Sequence, residues 1–225
     1  MQYLYLCPIC LVIAAVFIAI EKARFYLVAD VIKGVASAFF VALGVLGAFM
    51  CNDPVYARTI VIGLVLGAIA DILLNLRYVY EGSKAQIAFL VGILVFLAGH
   101  IAYIVACVPY CINLWVPIIG GVVLAALLLY WIFSIVEAKL AFKVFGVFYL
   151  GAIVILNCMA LFILVTNPTA HWLMFFSGTL LFLVSDVILI INTFGPKASF
   201  ALRISNLMLY YVGQLLIALS LQLPL

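Results

Sequence analysis

Charge is the scarcest property of this 225-residue chain. Asp, Glu, Lys and Arg together supply 8% of its residues and 71% are hydrophobic, with a mean hydropathy of +1.49, whereas soluble domains carry about 25% charged residues. That shortage excludes a soluble globular domain and identifies an all-α integral membrane protein. Strand-like alternation is missing too, which argues against a transmembrane barrel. Apolar runs of roughly 20 residues, the length that spans about 30 Å of hydrocarbon as helix, recur instead down the chain. Metal-ligand patterns are also scarce. Cys7-Pro8-Ile9-Cys10 has the spacing of a redox or zinc motif, but no second pair or histidine tract accompanies it. No metal, cofactor or nucleic-acid partner is expected.

Eight spans are read: Leu4–Ile20, Lys33–Cys51, Thr59–Leu76, Ala85–Cys107, Trp115–Val136, Phe142–Thr166, Trp172–Phe194 and Ala201–Leu223. The first has no basic residues ahead of it and no small-residue cleavage pattern behind it, so it reads as a retained helix instead of a signal peptide. Between the spans lie short turn-forming stretches such as Asn52-Asp53-Pro54 and Gly195-Pro196-Lys197, too short for a soluble domain. Nine of the ten basic residues fall at the odd connections: Lys22, Arg24 and Lys33, then Arg77 and Lys84, Lys139 and Lys143, Lys197 and Arg203. By the positive-inside rule those connections face the cytoplasm and both termini face the opposite side. Cys7, Cys10, Cys51, Cys107 and Cys111 then lie toward the extracytoplasmic ends, where either a disulfide or simple apolar packing accounts for them.

Against this background two aspartates stand out. Asp71 and Asp186 each interrupt a long apolar run, each with a glycine, Gly63 or Gly178, eight residues earlier. A carboxylate costs roughly 2.5 to 3.5 kcal/mol to insert at a bilayer centre, so such groups face the bundle interior and serve either function or helix positioning. Gly99-His100 follows Asp71 by 28 residues, Gly213-Gln214 follows Asp186 by 27, and Lys33 and Lys143 precede the two aspartates. The chain thus reads as a single transmembrane domain of two like-oriented halves, about 1–111 and 112–225, forming a 4+4 parallel repeat.

Further polar residues share these faces. Gly63, Gly67, Asp71 and Asn75 recur at intervals of four and line one side of the third helix, where glycines allow close helix packing. His100, Tyr103, Tyr210 and Gln214 are candidate pocket walls. Helical rise puts His100 roughly 24 Å from Lys84, which places it well above the aspartates. His171, beside Trp172, is expected at the membrane interface. Two neighbouring carboxylates can divide into one acid and one base at neutral pH.

The residues also carry a resemblance. Lys33 opening the second helix, Gly67-Ala68-Ile69-Ala70-Asp71-Ile72-Leu73-Leu74, Phe96-Leu97-Ala98-Gly99-His100-Ile101-Ala102-Tyr103, the run from Gly178 to Asp186 and Tyr210-Tyr211-Val212-Gly213-Gln214-Leu215-Leu216-Ile217 together resemble the YhhN family of multi-pass membrane proteins, which includes the lysoplasmalogenases. The family usually has proline after the lysine, where this chain has Gly34. The resemblance implies hydrolysis of the vinyl ether bond of a lysoplasmalogen to a fatty aldehyde and glycerophosphocholine or glycerophosphoethanolamine, with Asp71 and Asp186 as the catalytic pair. It further implies that Lys33 neutralises the substrate phosphate and that Asn75, His100, Tyr103, Tyr210 and Gln214 wall the pocket. The partners are then a lysophospholipid and membrane lipids, in the inner membrane of a bacterium or the endoplasmic reticulum of a eukaryote. A proton-coupled transporter is the alternative.

Overall fold

Turn-forming residues stop and restart a chain that is otherwise helical. The computed structural model describes residues 3–225, with eight α-helices and no strand among them: α1 (Leu6–Lys22), α2 (Tyr26–Ala48), α3 (Pro54–Asn75), α4 (Gly82–Cys107), α5 (Trp115–Ile135), α6 (Leu140–Thr166), α7 (Ala170–Phe194) and α8 (Phe200–Ser220). Asp53 starts α3 by accepting the N–H groups of Val55 and Tyr56 at 2.9 and 3.0 Å, with Pro54 in the first turn. Thr169 and Ser199 cap α7 and α8 in the same way. Seven of the helices, α2 to α8, are long and apolar enough to cross a membrane. The 17 residues of α1 reach only roughly 26 Å, the lower limit for a span.

One boundary differs from expectation in a way that matters. Helix α2 begins at Tyr26, so Lys33 does not open it but lies two turns inside, 3% exposed. Arg24, with φ of +66°, turns the chain so tightly that three residues suffice to join α1 and α2. Asp30 and Lys33 both face inward, and two charges within one turn imitate a loop in a hydropathy profile.

Helices α2, α3, α4, α6, α7 and α8 pack in sequence and α8 closes back on α2, while α1 lies against α2 and α8 and α5 against α6. Each contact in this ring has a counterpart four helices on. Missing side chains set the closest crossings. A Cβ on Gly178 would come within 2.7 Å of the Gly213 carbonyl, and one on Gly213 within 2.8 Å of the Gly178 carbonyl, so α7 and α8 cross backbone to backbone. Gly99 similarly faces the Gly63 carbonyl across α3 and α4, at 3.3 Å for an added Cβ.

The ends of the bundle differ. At the end away from the basic connections, His171 and Trp172, in the first turn of α7, are fully buried within the bundle. His171 meets the Tyr56 hydroxyl at 2.8 Å and the Ser220 carbonyl at 2.9 Å, inside an aromatic cluster with Trp172 and Phe175. All six cysteines are free.

The Asp53 cap gives a pH-dependent test. The Tyr110 hydroxyl, 2.7 Å away, and then the Tyr56 N–H hold the Asp53 carboxyl below its ordinary value. A depressed carboxyl contributes stability above the unfolded value of about 4, lost as the pH falls through the folded one. Asp53→Ala should lower the thermal unfolding midpoint in detergent at pH 7 by roughly 2–4 °C, equivalent to about 1 kcal/mol. The difference should close as the pH falls below about 4. An equal midpoint at pH 7 would remove this cap from the stability of the fold.

Candidate active site

Asp71 sits in α3, 2% exposed, surrounded by donors from three other side chains. Its Oδ1 lies 3.0 Å from Lys33 Nζ, and its Oδ2 accepts from Ser37 Oγ at 2.6 Å and Tyr210 Oη at 2.7 Å. Lys33 also donates to the Asp71 carbonyl at 3.0 Å. Lys33 and Ser37 are one turn apart on α2, so a single helix face brings both to the carboxylate. A carboxylate offers about four lone-pair sites, and three are filled here.

Asp186 is bound more sparsely. It is 3% exposed, and its Oδ2 accepts from Tyr149 Oη of α6 at 2.7 Å. His100 Nε2 stands 3.9 Å from the same oxygen, beyond hydrogen-bond reach. Oδ1 takes no hydrogen bond, and no lysine or arginine pairs with this carboxyl, among the described residues. His100 is 1% exposed with neither ring nitrogen bonded, and is packed against Phe182 and Tyr149 at centroid distances of 4.8 and 5.1 Å.

This placement corrects the expected height of His100: it stands beside Asp186 and not above the aspartates. The 26 residues of α4 extend roughly 39 Å, more than the hydrocarbon thickness, so counting depth from Lys84 begins outside it.

A relay of hydroxyl and amide groups runs toward Asp71. Tyr103 Oη donates to Gln214 Oε1 at 3.1 Å, Gln214 Nε2 donates to Tyr210 Oη at 3.3 Å, and Tyr210 donates to Asp71. The glycine stripe of α3 makes room for it. A Cβ on Gly63 would collide with the Tyr103 ring, and one on Gly67 would lie 2.6 Å from Gln214 Nε2. These glycines therefore seat the relay as well as the neighbouring helix.

Both aspartates line one cleft of about 390 Å³, mouth included, between α2, α3, α4, α7 and α8. Lys33, Asn75 and Tyr210 line it too, whereas Tyr103 and Gln214 stand behind Tyr210. Arg203 forms part of its wall, held by Glu21 through Nε–Oε1 and Nη2–Oε2 contacts of 2.9 and 2.8 Å, and Nη2 reaches Asn75 Oδ1 at 3.2 Å. Arg77 borders the cleft with its guanidinium between Tyr78 and Phe89, 4.7 and 4.5 Å from the ring centroids, and pairs with no carboxylate among the described residues.

Ser37, Tyr149, Glu21 and Arg203 are additions to the site read from sequence. Ser37 carried a signal, one turn from Lys33. So did Tyr149, which precedes Asp186 by 37 residues as Lys33 precedes Asp71 by 38. Lys143, the lysine matched to Lys33 in sequence, instead lies over the Phe133 ring at 5.7 Å. No group of three or more His, Cys, Asp or Glu side chains among the described residues is placed to hold a metal ion.

The fold and cleft define a multi-pass membrane protein with a carboxylate-bearing polar site enclosed in its helical bundle. The YhhN family model matches residues 28–221, nearly the whole chain, and the protein belongs to that family. No curated protein and no solved structure matches it.

The Glu21–Arg203 pair closes α1 onto α8 beside the cleft. Arg203→Met strands a buried carboxylate and should destabilise the protein in detergent by about 3–5 kcal/mol, with the Glu21→Leu/Arg203→Met double variant recovering much of that loss. A double variant no more stable than Arg203→Met would refute pairing as the reason both charges are tolerated.

Proposed function

We propose that the protein is a lysoplasmalogenase that cleaves the vinyl ether of a lysoplasmalogen by acid–base catalysis. The observation that carries this reading is the unequal surroundings of two carboxyl groups in one cleft. Asp71, facing an ammonium and two hydroxyl donors, serves as the carboxylate. Asp186, with no cation paired to it and one oxygen free, serves as the acid, because a buried carboxyl without a counter-charge is least costly when neutral. Membership of a family that includes lysoplasmalogenases supplies the substrate class.

The steps balance. Asp186 gives its proton to the vinyl carbon on the chain side as the C=C electrons form the new C–H bond, leaving an oxocarbenium ion opposite Asp71. Water adds to the cationic carbon while Asp71 takes its proton, giving a hemiacetal. Asp71 then returns that proton to the glycerol oxygen as the C–O bond breaks, and the hemiacetal hydroxyl proton passes to Asp186. Aldehyde and alcohol leave, with both carboxyl groups reset. Lys33, 3.0 Å from Oδ1, holds the Asp71 carboxyl in position for both proton transfers. Arg77, the unpaired cation at the cleft mouth, is suited to the substrate phosphate.

The reading includes a topology. All eight helices cross the bilayer as two parallel halves, 1–111 and 112–225, with both termini extracytoplasmic and the cleft opening at the cytoplasmic leaflet. The basic odd connections and the ring contacts recurring four helices apart support it.

Purified protein incubated with choline and ethanolamine lysoplasmalogens should release free aldehyde. Absence of aldehyde from both would favour the proton-coupled carrier. Asp71→Asn and Asp186→Asn should each lower kcat by about 10²- to 10⁴-fold while eluting as folded protein, and full activity in either would defeat the two-carboxylate mechanism. Lys33→Met should act mainly on kcat and Arg77→Leu mainly on KM. The reverse pattern would return the phosphate to Lys33.

A further inference from the structure

The correspondence between contacts four helices apart fails at one place, outside the ring. Helix α1 packs directly on α8, where Phe17 and Ile18 bury Leu207. The corresponding pair is α5 and α4, and there α5 stands away from α4. Leu207 follows Asp186 by 21 residues and Ile93 follows Asp71 by 22, but Ile93 faces an apolar pocket of about 690 Å³, mouth included, between α4, α5, α6 and α7. The second half leaves open what the first half fills with its own side chains.

We infer that this pocket binds the hydrocarbon chain of the lipid whose ether group lies between the aspartates, and that it sets chain-length preference. The inference rests on the hydrolase reading above. Three observations fix the occupant. Leu74, Phe96 and Leu189 line both the pocket and the polar cleft, so one molecule can occupy the two together. Tyr149 is a pocket wall whose hydroxyl holds Asp186 at 2.7 Å, which puts the hydrocarbon next to the proposed acid. The reaction needs that order, because the carbon receiving the proton is the one that bears the chain. From Phe96 to Phe89 the α4 wall then extends roughly 10 Å, lined almost entirely by carbon apart from Lys143 and Thr193.

Gly146 of α6 provides the test. It lies on the pocket wall, and a Cβ there meets nothing within 4 Å, so a side chain can start into the pocket from this position without a clash at its first carbon. Each buried methylene contributes about fourfold to binding. Gly146→Phe should therefore lower the ratio of kcat/KM for a long-chain over a short-chain alkenyl lysophospholipid by at least about tenfold, with Gly146→Ala close to the wild-type ratio. A second measurement does not depend on turnover: a non-hydrolysable alkyl ether lysophospholipid with a photoreactive chain end should label α5 and α6 in the wild type, and Gly146→Phe should lose that label. An unchanged ratio, labelling confined to α1, α2 or α8, or competition by diacyl phospholipid but not by unlabelled ether lysolipid would overturn the inference. Wild-type protein that labels α5 and α6 yet releases no aldehyde would instead refute the hydrolase reading and leave the chain site standing.

Discussion

A charge inside hydrocarbon must be answered by another charge or by several donors, and the contact between Lys33 and Asp71 satisfies that requirement at the centre of this bundle. Removing either partner would strand the other at a cost of several kcal/mol. The 3.0 Å approach of ammonium and carboxylate therefore fixes α2 against α3. Tyr210, bonded to the same carboxylate, adds α8. Glu21 and Arg203 repeat the arrangement nearer the basic end and secure α1 to α8. Asp186 receives only a tyrosine hydroxyl, and the proposed division into acid and base rests on this difference in the surroundings of two chemically identical side chains.

The glycines serve the same electrostatic end. Had α3 carried side chains at 63 and 67, Tyr103 and Gln214 could not occupy their places, and Tyr210 would lose the amide that donates to its oxygen. That amide leaves the Tyr210 proton directed at Asp71. On the proposed reaction, donors fixed before substrate arrives need not reorganise, which is the usual source of large electrostatic effects in enclosed sites.

Much of this was legible in the residues. Charge scarcity and apolar run length revealed a helical membrane protein, and the spacing of Gly63 to Asp71 and Gly178 to Asp186 located the carboxyl groups that share the cleft. Local reasoning failed where two inward charges looked like a loop. Asp30 and Lys33 displaced the expected start of α2 by seven residues and moved Lys33 from an interface to the interior. His100 lies lower than its distance along α4 suggests, because the helix begins outside the hydrocarbon and its length overstates depth. The spacing of Tyr149 is masked, because Lys143 is the residue that matches Lys33 in type while Tyr149 meets a partner on another helix 37 residues away. Glu21 and Arg203, 182 residues apart, have no sequence signal, since either alone looks like a charge at a helix end.

The open space beside α5 also bears on traffic after the reaction. Cleavage of a lysoplasmalogen produces an oily aldehyde and a water-soluble phosphodiester, fragments that prefer opposite surroundings. The polar cleft ends at Arg77 and Arg203, whereas the apolar pocket borders the sparsely packed helix α5. On the proposed reaction each fragment is formed against the walls that suit it. The soluble one is left beside the arginines and the aldehyde against carbon, so neither has to cross the other's surroundings at the moment of cleavage.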